Sequence, residues 1–106
     1  MDAKKRKRLE AAGWTVGDAT EFLKLAPEEA ALVEMRLALS RALRERRQAA
    51  GLTQVGLAKQ LGSSQSRVAK LEAGDASVSL ELLIRALLSV GASRKDVATA
   101  LARRVA

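Results

Sequence analysis

Hydrophobic residues recur at intervals of three and four along most of the chain, which is the spacing of amphipathic helices. The clearest stripe has four members: Leu32, Met35, Leu39 and Leu43. Pro27 suits the first position of a helix, and Gly51 lies just beyond the last position of this stripe's helix. The pattern therefore predicts one long helix over residues 27–50.

Four shorter helices are predicted after it, each opened by a hydroxyl residue that can cap the first turn: Thr53, Ser64, Ser79 and Ser93. Gly62 and Gly74 suit the ends of the first two. The third carries five apolar residues: Leu80, Leu83, Ile84, Leu87 and Leu88. The last is striped by Val97, Leu101 and Val105, which either close the monomer core or form a dimer seam. With no strand pattern, the predicted fold class is all-α.

The first 27 residues differ in composition from the Ala- and Leu-rich remainder, because they hold the only Trp, Phe and Pro. We interpret residues 1–27 as an appendage with a basic tail and a short helix, and residues 28–106 as the helical domain. The run Lys4–Arg8 is either a solubilising tail or an arm that touches DNA. Four apolar residues of the appendage either pack on the long helix or bind a partner: Trp14, Phe22, Leu23 and Leu25.

Composition excludes most hydrolase chemistries. The chain has no Cys and no His, so it lacks disulfides, thiolate zinc sites and the commonest general base. We expect no catalytic residue, no metal and no cofactor. The longest apolar stretch, residues 82–92, is interrupted by Arg85 and falls short of the roughly 20 residues that span a bilayer. No apolar run follows the basic opening, so we expect no signal peptide and a cytoplasmic protein.

The charge balance points to a polyanionic partner. Nineteen Lys and Arg against twelve Asp and Glu give a formal charge of +7. Nucleic acid and an acidic protein surface both fit this excess of positive charge.

Residues 54–72 carry the most specific pattern. Two predicted helices separated by about three residues must cross at a steep angle. The six positions that this crossing constrains hold suitable residues, namely apolar Leu57, Leu61, Val68 and Leu71, small Ala58, and Gly62 at the turn. This combination is typical of a helix-turn-helix.

The chain resembles the lambda-repressor-like, or Cro/cI (XRE), helix-turn-helix family over about residues 39–91. The resemblance rests on Leu43, Arg44, Arg47, Gly51 to Gln54, Leu57, Ala58, Leu61 to Ser66, Val68, Leu71, Glu72 and Gly74. It implies a five-helix DNA-binding domain that acts as a homodimeric regulator and not as an enzyme. It also implies an ion pair between Arg47 and Glu72 that links the first and third helices of the domain. Gly56 departs from the family, which commonly has Glu there to complete a capping box with Thr53.

A helical wheel of residues 65–72 turns Val68 and Leu71 to the core and leaves the opposite face open for the major groove of a double-stranded operator. The candidate DNA-binding residues are Thr53, Gln54, Ser64, Gln65, Ser66, Arg67, Ala69 and Lys70. Gln65, Ser66, Ala69 and Lys70 suit bases, whereas Thr53, Gln54 and Arg67 suit phosphates.

Three functions fit these features. The first is a HigA-like antitoxin that represses its own operon and binds a RelE-like toxin through residues 14–25. The second is a stand-alone or phage-type repressor without a toxin partner. The third is a protein-interaction adaptor that lost DNA binding, which the weak charge of +1 over residues 51–75 favours.

Overall fold

The computed structural model describes residues 26–103, which form five helices and, within that range, no strand. The helices are α1 (Pro27–Ala49), α2 (Gln54–Leu61), α3 (Gln65–Ala73), α4 (Leu80–Ser89) and α5 (Arg94–Ala102). The prediction of an all-α domain with five helices is confirmed. The predicted appendage helix, the basic tail, Val105 and the four candidate partner-binding residues Trp14, Phe22, Leu23 and Leu25 lie outside the described residues.

Local capping explains where the shorter helices begin. The hydroxyl groups of Thr53, Ser64, Ser79 and Ser93 each accept a hydrogen bond from the backbone N–H three residues further on. The carboxylate of Asp96 in turn accepts a hydrogen bond from the backbone N–H of Ser93, which completes the capping box of α5. These bonds satisfy backbone donors that a helix start leaves free.

The core lies where α3, α4 and α5 pack on α1, with α2 closing against α3. Seven large side chains are almost completely buried there: Leu39, Leu43, Leu57, Val68, Leu71, Leu83 and Leu87. Burying each such side chain contributes about 1.5–3 kcal/mol. The α1 stripe is only partly buried, because Leu32 is 47% exposed, whereas Leu39 two turns later is fully buried in the central cluster. Leu88 of α4 is likewise 46% exposed.

Helix α5 completes the monomer. Val97 is buried in the core cluster, and Leu101 packs against that cluster while remaining partly exposed. The two described members of the α5 stripe therefore serve the monomer core, which favours that alternative over a dimer seam.

Gly56 offers a test of local stability at the start of α2. Its N–H donates to Thr53 Oγ1 at 3.0 Å, and a Cβ at this position would lie 3.3 Å from the same hydroxyl. We expect Gly56→Ala to stabilise the fold by about 0.5 kcal/mol, and Gly56→Glu by about 1 kcal/mol because its carboxylate adds a capping box. Thermal and urea unfolding of both variants measure this. Loss of stability in both would mean that the added Cβ displaces the Thr53 hydroxyl.

Candidate nucleic-acid interface

Helices α2 and α3 form a compact helix-turn-helix. Gly62 ends α2 in the left-handed conformation, with φ 65° and ψ 37°, and Ser64 caps α3 two residues later. The N–H of Ser63 donates to the carbonyl of Ala58 at 2.8 Å, which fixes the turn against α2. Ala58 is buried, which agrees with the prediction that a small side chain lies where the two helices cross.

The outer face of α3 is open along its length. Gln65, Ser66, Arg67 and Lys70 are exposed, whereas Val68 and Leu71 of the same helix are buried. Ala69 is half-buried, so it lies at the margin of this face. Thr53 and Ser64 are exposed at the starts of α2 and α3. The candidate DNA-binding residues at the start of α2 and along α3 are therefore accessible on the surface of the helix-turn-helix.

A chain of hydrogen bonds runs from this face into the domain. The amide nitrogen of Gln65 donates to Gln54 Oε1 at 2.7 Å, and the amide nitrogen of Gln54 donates to Glu72 Oε1 at 3.2 Å. Gln54 was predicted to bind phosphate only, and its hydrogen bonds to Gln65 and Glu72 were not predicted. The bond between Gln54 and Gln65 depends on how α2 and α3 cross, and no local sequence signal reports it.

Glu72 is paired with Arg47 of α1. Arg47 Nε lies 2.5 Å from Glu72 Oε2, and Arg47 Nη2 donates to Glu72 Oε1 at 3.0 Å. The two side chains are 12% and 4% exposed, and Arg47 Nη1 also donates to the carbonyl of Leu52 at 2.8 Å. The hydrogen bond to Glu72 raises the pKa of Arg47. The pair joins α1 and α3, and Arg47 also holds the turn before α2.

A polar recess of about 190 Å³ opens beside the start of α3. Its lining consists of Ser64, Ser66, Arg67, Lys70, Ser77 and Val78. Two cations and three hydroxyl groups make it suited to an anion. Ser77 was not among the predicted site residues, because no sequence motif in the loop before α4 indicates that Ser77 lies near α3.

The loop has its own internal bonds. Ser77 N–H donates to Asp75 Oδ1 at 2.8 Å, and the N–H of Val78 donates to the carbonyl of Asp75 at 3.1 Å. Hydrogen bonds from the side chain and backbone of Ser77 lower the pKa of Asp75. The carboxylate therefore stays charged and keeps the turn closed.

The middle of the chain matches a known protein family. Residues 43–89 match the model of a helix-turn-helix family, a span that runs from the end of α1 to the end of α4. No curated protein and no solved structure gave a match to the chain.

The fold and this match together define an all-α helix-turn-helix domain of the lambda-repressor-like type. The match supports the Cro/cI (XRE) resemblance of these residues and a role as a DNA-binding regulator. Between residues 26 and 103, the structure contains no helix with the length and apolar character that crossing a membrane requires.

Proposed function

We propose that the protein is a sequence-specific regulator of transcription that places α3 in the major groove of double-stranded DNA. The observation that carries this proposal is the open polar face of α3, opposite buried Val68 and Leu71, on the second helix of a helix-turn-helix. An α-helix fits the major groove, where each base pair presents a distinct pattern of donors and acceptors.

Gln65 is the strongest candidate for reading a base. One N–H of its amide donates to Gln54, and among the described residues the other N–H and the carbonyl oxygen have no partner. These two groups suit a bidentate pair with adenine, and the bond to Gln54 fixes the amide before DNA arrives. Ser66 suits several bases, Lys70 suits guanine, and Ala69 suits a thymine methyl group.

The remaining candidates support phosphate contacts. Thr53 and Ser64 lie at helix starts, where the positive end of the helix dipole and the free N–H groups favour anions. Arg67 is exposed beside the polar recess and is placed for the DNA backbone. Gln54 instead holds the base-reading Gln65 in place, since both of its amide groups are already bonded within the protein.

Base reading makes a specific prediction for Gln65, Ser66 and Lys70. Replacing each with Ala should weaken binding to the preferred duplex while nearly preserving binding to random duplex, with a cost of about 1–3 kcal/mol for Gln65→Ala. The preferred duplex is obtained by selection from a random pool, and affinities are measured by fluorescence anisotropy at fixed salt. Gln48→Ala, an exposed Gln of α1 outside the helix-turn-helix, is the matched control. Equal losses on both duplexes would contradict base reading.

We further propose that the protein binds as a homodimer, because one recognition helix contacts too few bases for useful specificity. The expected site is a pseudo-palindrome whose half-site centres are about 10 bp apart. Sedimentation of the complex and a hydroxyl-radical footprint measure the stoichiometry and the symmetry. A monomeric complex with an asymmetric footprint would refute this arrangement.

A second candidate function is that of an antitoxin in a type II toxin–antitoxin operon. It is supported by the position of Trp14 and Phe22, which precede the family match. Aromatic residues anchor protein interfaces disproportionately. The partner would be a RelE-like toxin encoded beside this chain.

Paired variants test the antitoxin hypothesis in the full chain. Trp14→Ala with Phe22→Ala should abolish binding to the neighbouring toxin and retain DNA binding, if folding by circular dichroism is unchanged. Unimpaired toxin binding would place the interface elsewhere. If the neighbouring gene encodes no toxin but the chain binds DNA, a stand-alone repressor is supported. If the chain binds no duplex even at low salt, the adaptor hypothesis replaces both.

A further inference from the structure

Arg36 connects α1 to the loop between α3 and α4. It lies before the residues that match the family model, in the first half of α1, and is half-buried. Its guanidinium Nη1 donates to the backbone carbonyl of Val78, which is 42 positions further along the chain. This contact joins the first half of α1 to the polar recess, because Val78 and Ser77 form one wall of that recess.

The same face of α1 also lies against the start of the loop. A Cβ on Gly74 would lie 2.9 Å from Leu37 Cδ2 and 3.3 Å from Ser40 Oγ, so the backbone there is in close contact with α1. Val78 is buried in the core at the other end of the loop. Arg36 therefore adds to a set of contacts that hold both ends of the loop against α1.

Arg36 has a second effect through charge. The positive charges of Arg36 and Lys70 both lower the pKa of Asp75, although the hydrogen bonds from Ser77 lower it more.

We propose that Arg36 is a positioning residue for DNA binding, which holds the loop of residues 75–78 so that the recess beside α3 accepts a backbone phosphate. The proposal rests on the proposed function of α3. Arg36 itself does not touch the phosphate. It acts through Val78, whose carbonyl it binds and which forms one wall of the recess together with Ser77.

The test compares Arg36→Met with Arg41→Met, which removes the same charge from an exposed position of the same helix. Both variants are measured on the selected duplex over a range of salt concentrations. Arg36→Met should bind about tenfold more weakly than Arg41→Met. It should also reduce the slope of log K against log salt by about 0.9 more than the control does, because one phosphate contact is lost. A general loss of stability lowers the folded fraction without changing this slope.

Two further variants separate positioning from folding. Arg36→Lys keeps a donor and a charge, and we expect it to restore most of the affinity. Ser77→Ala in the Arg36→Met background should cost less than Ser77→Ala alone, because the loop is already displaced. Additive effects, or an Arg36→Met variant equal to Arg41→Met on DNA that the wild-type chain binds, would overturn the role of Arg36 alone. A wild-type chain that binds no duplex would overturn the proposed function with it.

Discussion

Replacing Glu72 with Met is expected to lower the free energy of unfolding by about 3–5 kcal/mol, because it leaves the Arg47 guanidinium in a mostly buried site without its carboxylate. Arg47→Met should cost a similar amount, since Glu72 is 4% exposed and, within residues 26–103, would keep only the Gln54 amide as a partner. The double variant should be more stable than either single variant, because two apolar side chains leave no uncompensated charge. Urea unfolding of the four proteins gives the coupling energy directly.

The neighbouring ion pair of α1 provides the control. Arg46 Nη2 lies 2.8 Å from Asp96 Oδ2, but these side chains are 37% and 45% exposed. Water and salt screen this pair, so Arg46→Met should change stability by a small fraction of the effect at Arg47. Equal effects at Arg46 and Arg47, or additive single and double variants at Arg47 and Glu72, would show that burial does not strengthen the coupling.

The second large effect is expected at Gly74. Gly62 and Gly74 end their helices with nearly the same backbone angles, φ 65° and φ 67°, so a Cβ meets the same conformational penalty at both. A Cβ at Gly62 would meet no heavy atom within 4 Å, whereas one at Gly74 would lie 2.9 Å from Leu37 Cδ2. We expect Gly62→Ala to cost about 1 kcal/mol and Gly74→Ala about 2–4 kcal/mol.

Removal of the crowding side chain checks this explanation. In a Leu37→Ala background, the cost of Gly74→Ala should fall toward that of Gly62→Ala, because the nearest atom is gone. Thermal and urea unfolding of the single and double variants measure the difference. A cost at Gly74 that Leu37→Ala does not reduce would assign the penalty to Ser40, whose buried hydroxyl has no hydrogen-bond partner among the described residues.

Features that depend on residues three or four positions apart could be predicted from the sequence. The caps of Thr53, Ser64, Ser79 and Ser93 and the all-α class follow from such local bonds and spacings. The open face of α3 follows in the same way, because Val68 and Leu71 orient the helix. The resemblance to the family supplied the pairing of Arg47 with Glu72, which spacing alone does not show.

Which parts of these helices are buried depends on tertiary packing. Leu32 and Leu39 have the same place in the α1 stripe, yet only Leu39 lies where the shorter helices cover it. Gly62 and Gly74 carry the same local signal, and the path of α1 crowds one of them. The bond between Arg36 and Val78 joins residues 42 positions apart, so it depends on how α1 crosses the loop before α4. Helix crossings depend on the packing of the whole core, and no short stretch of sequence contains that information.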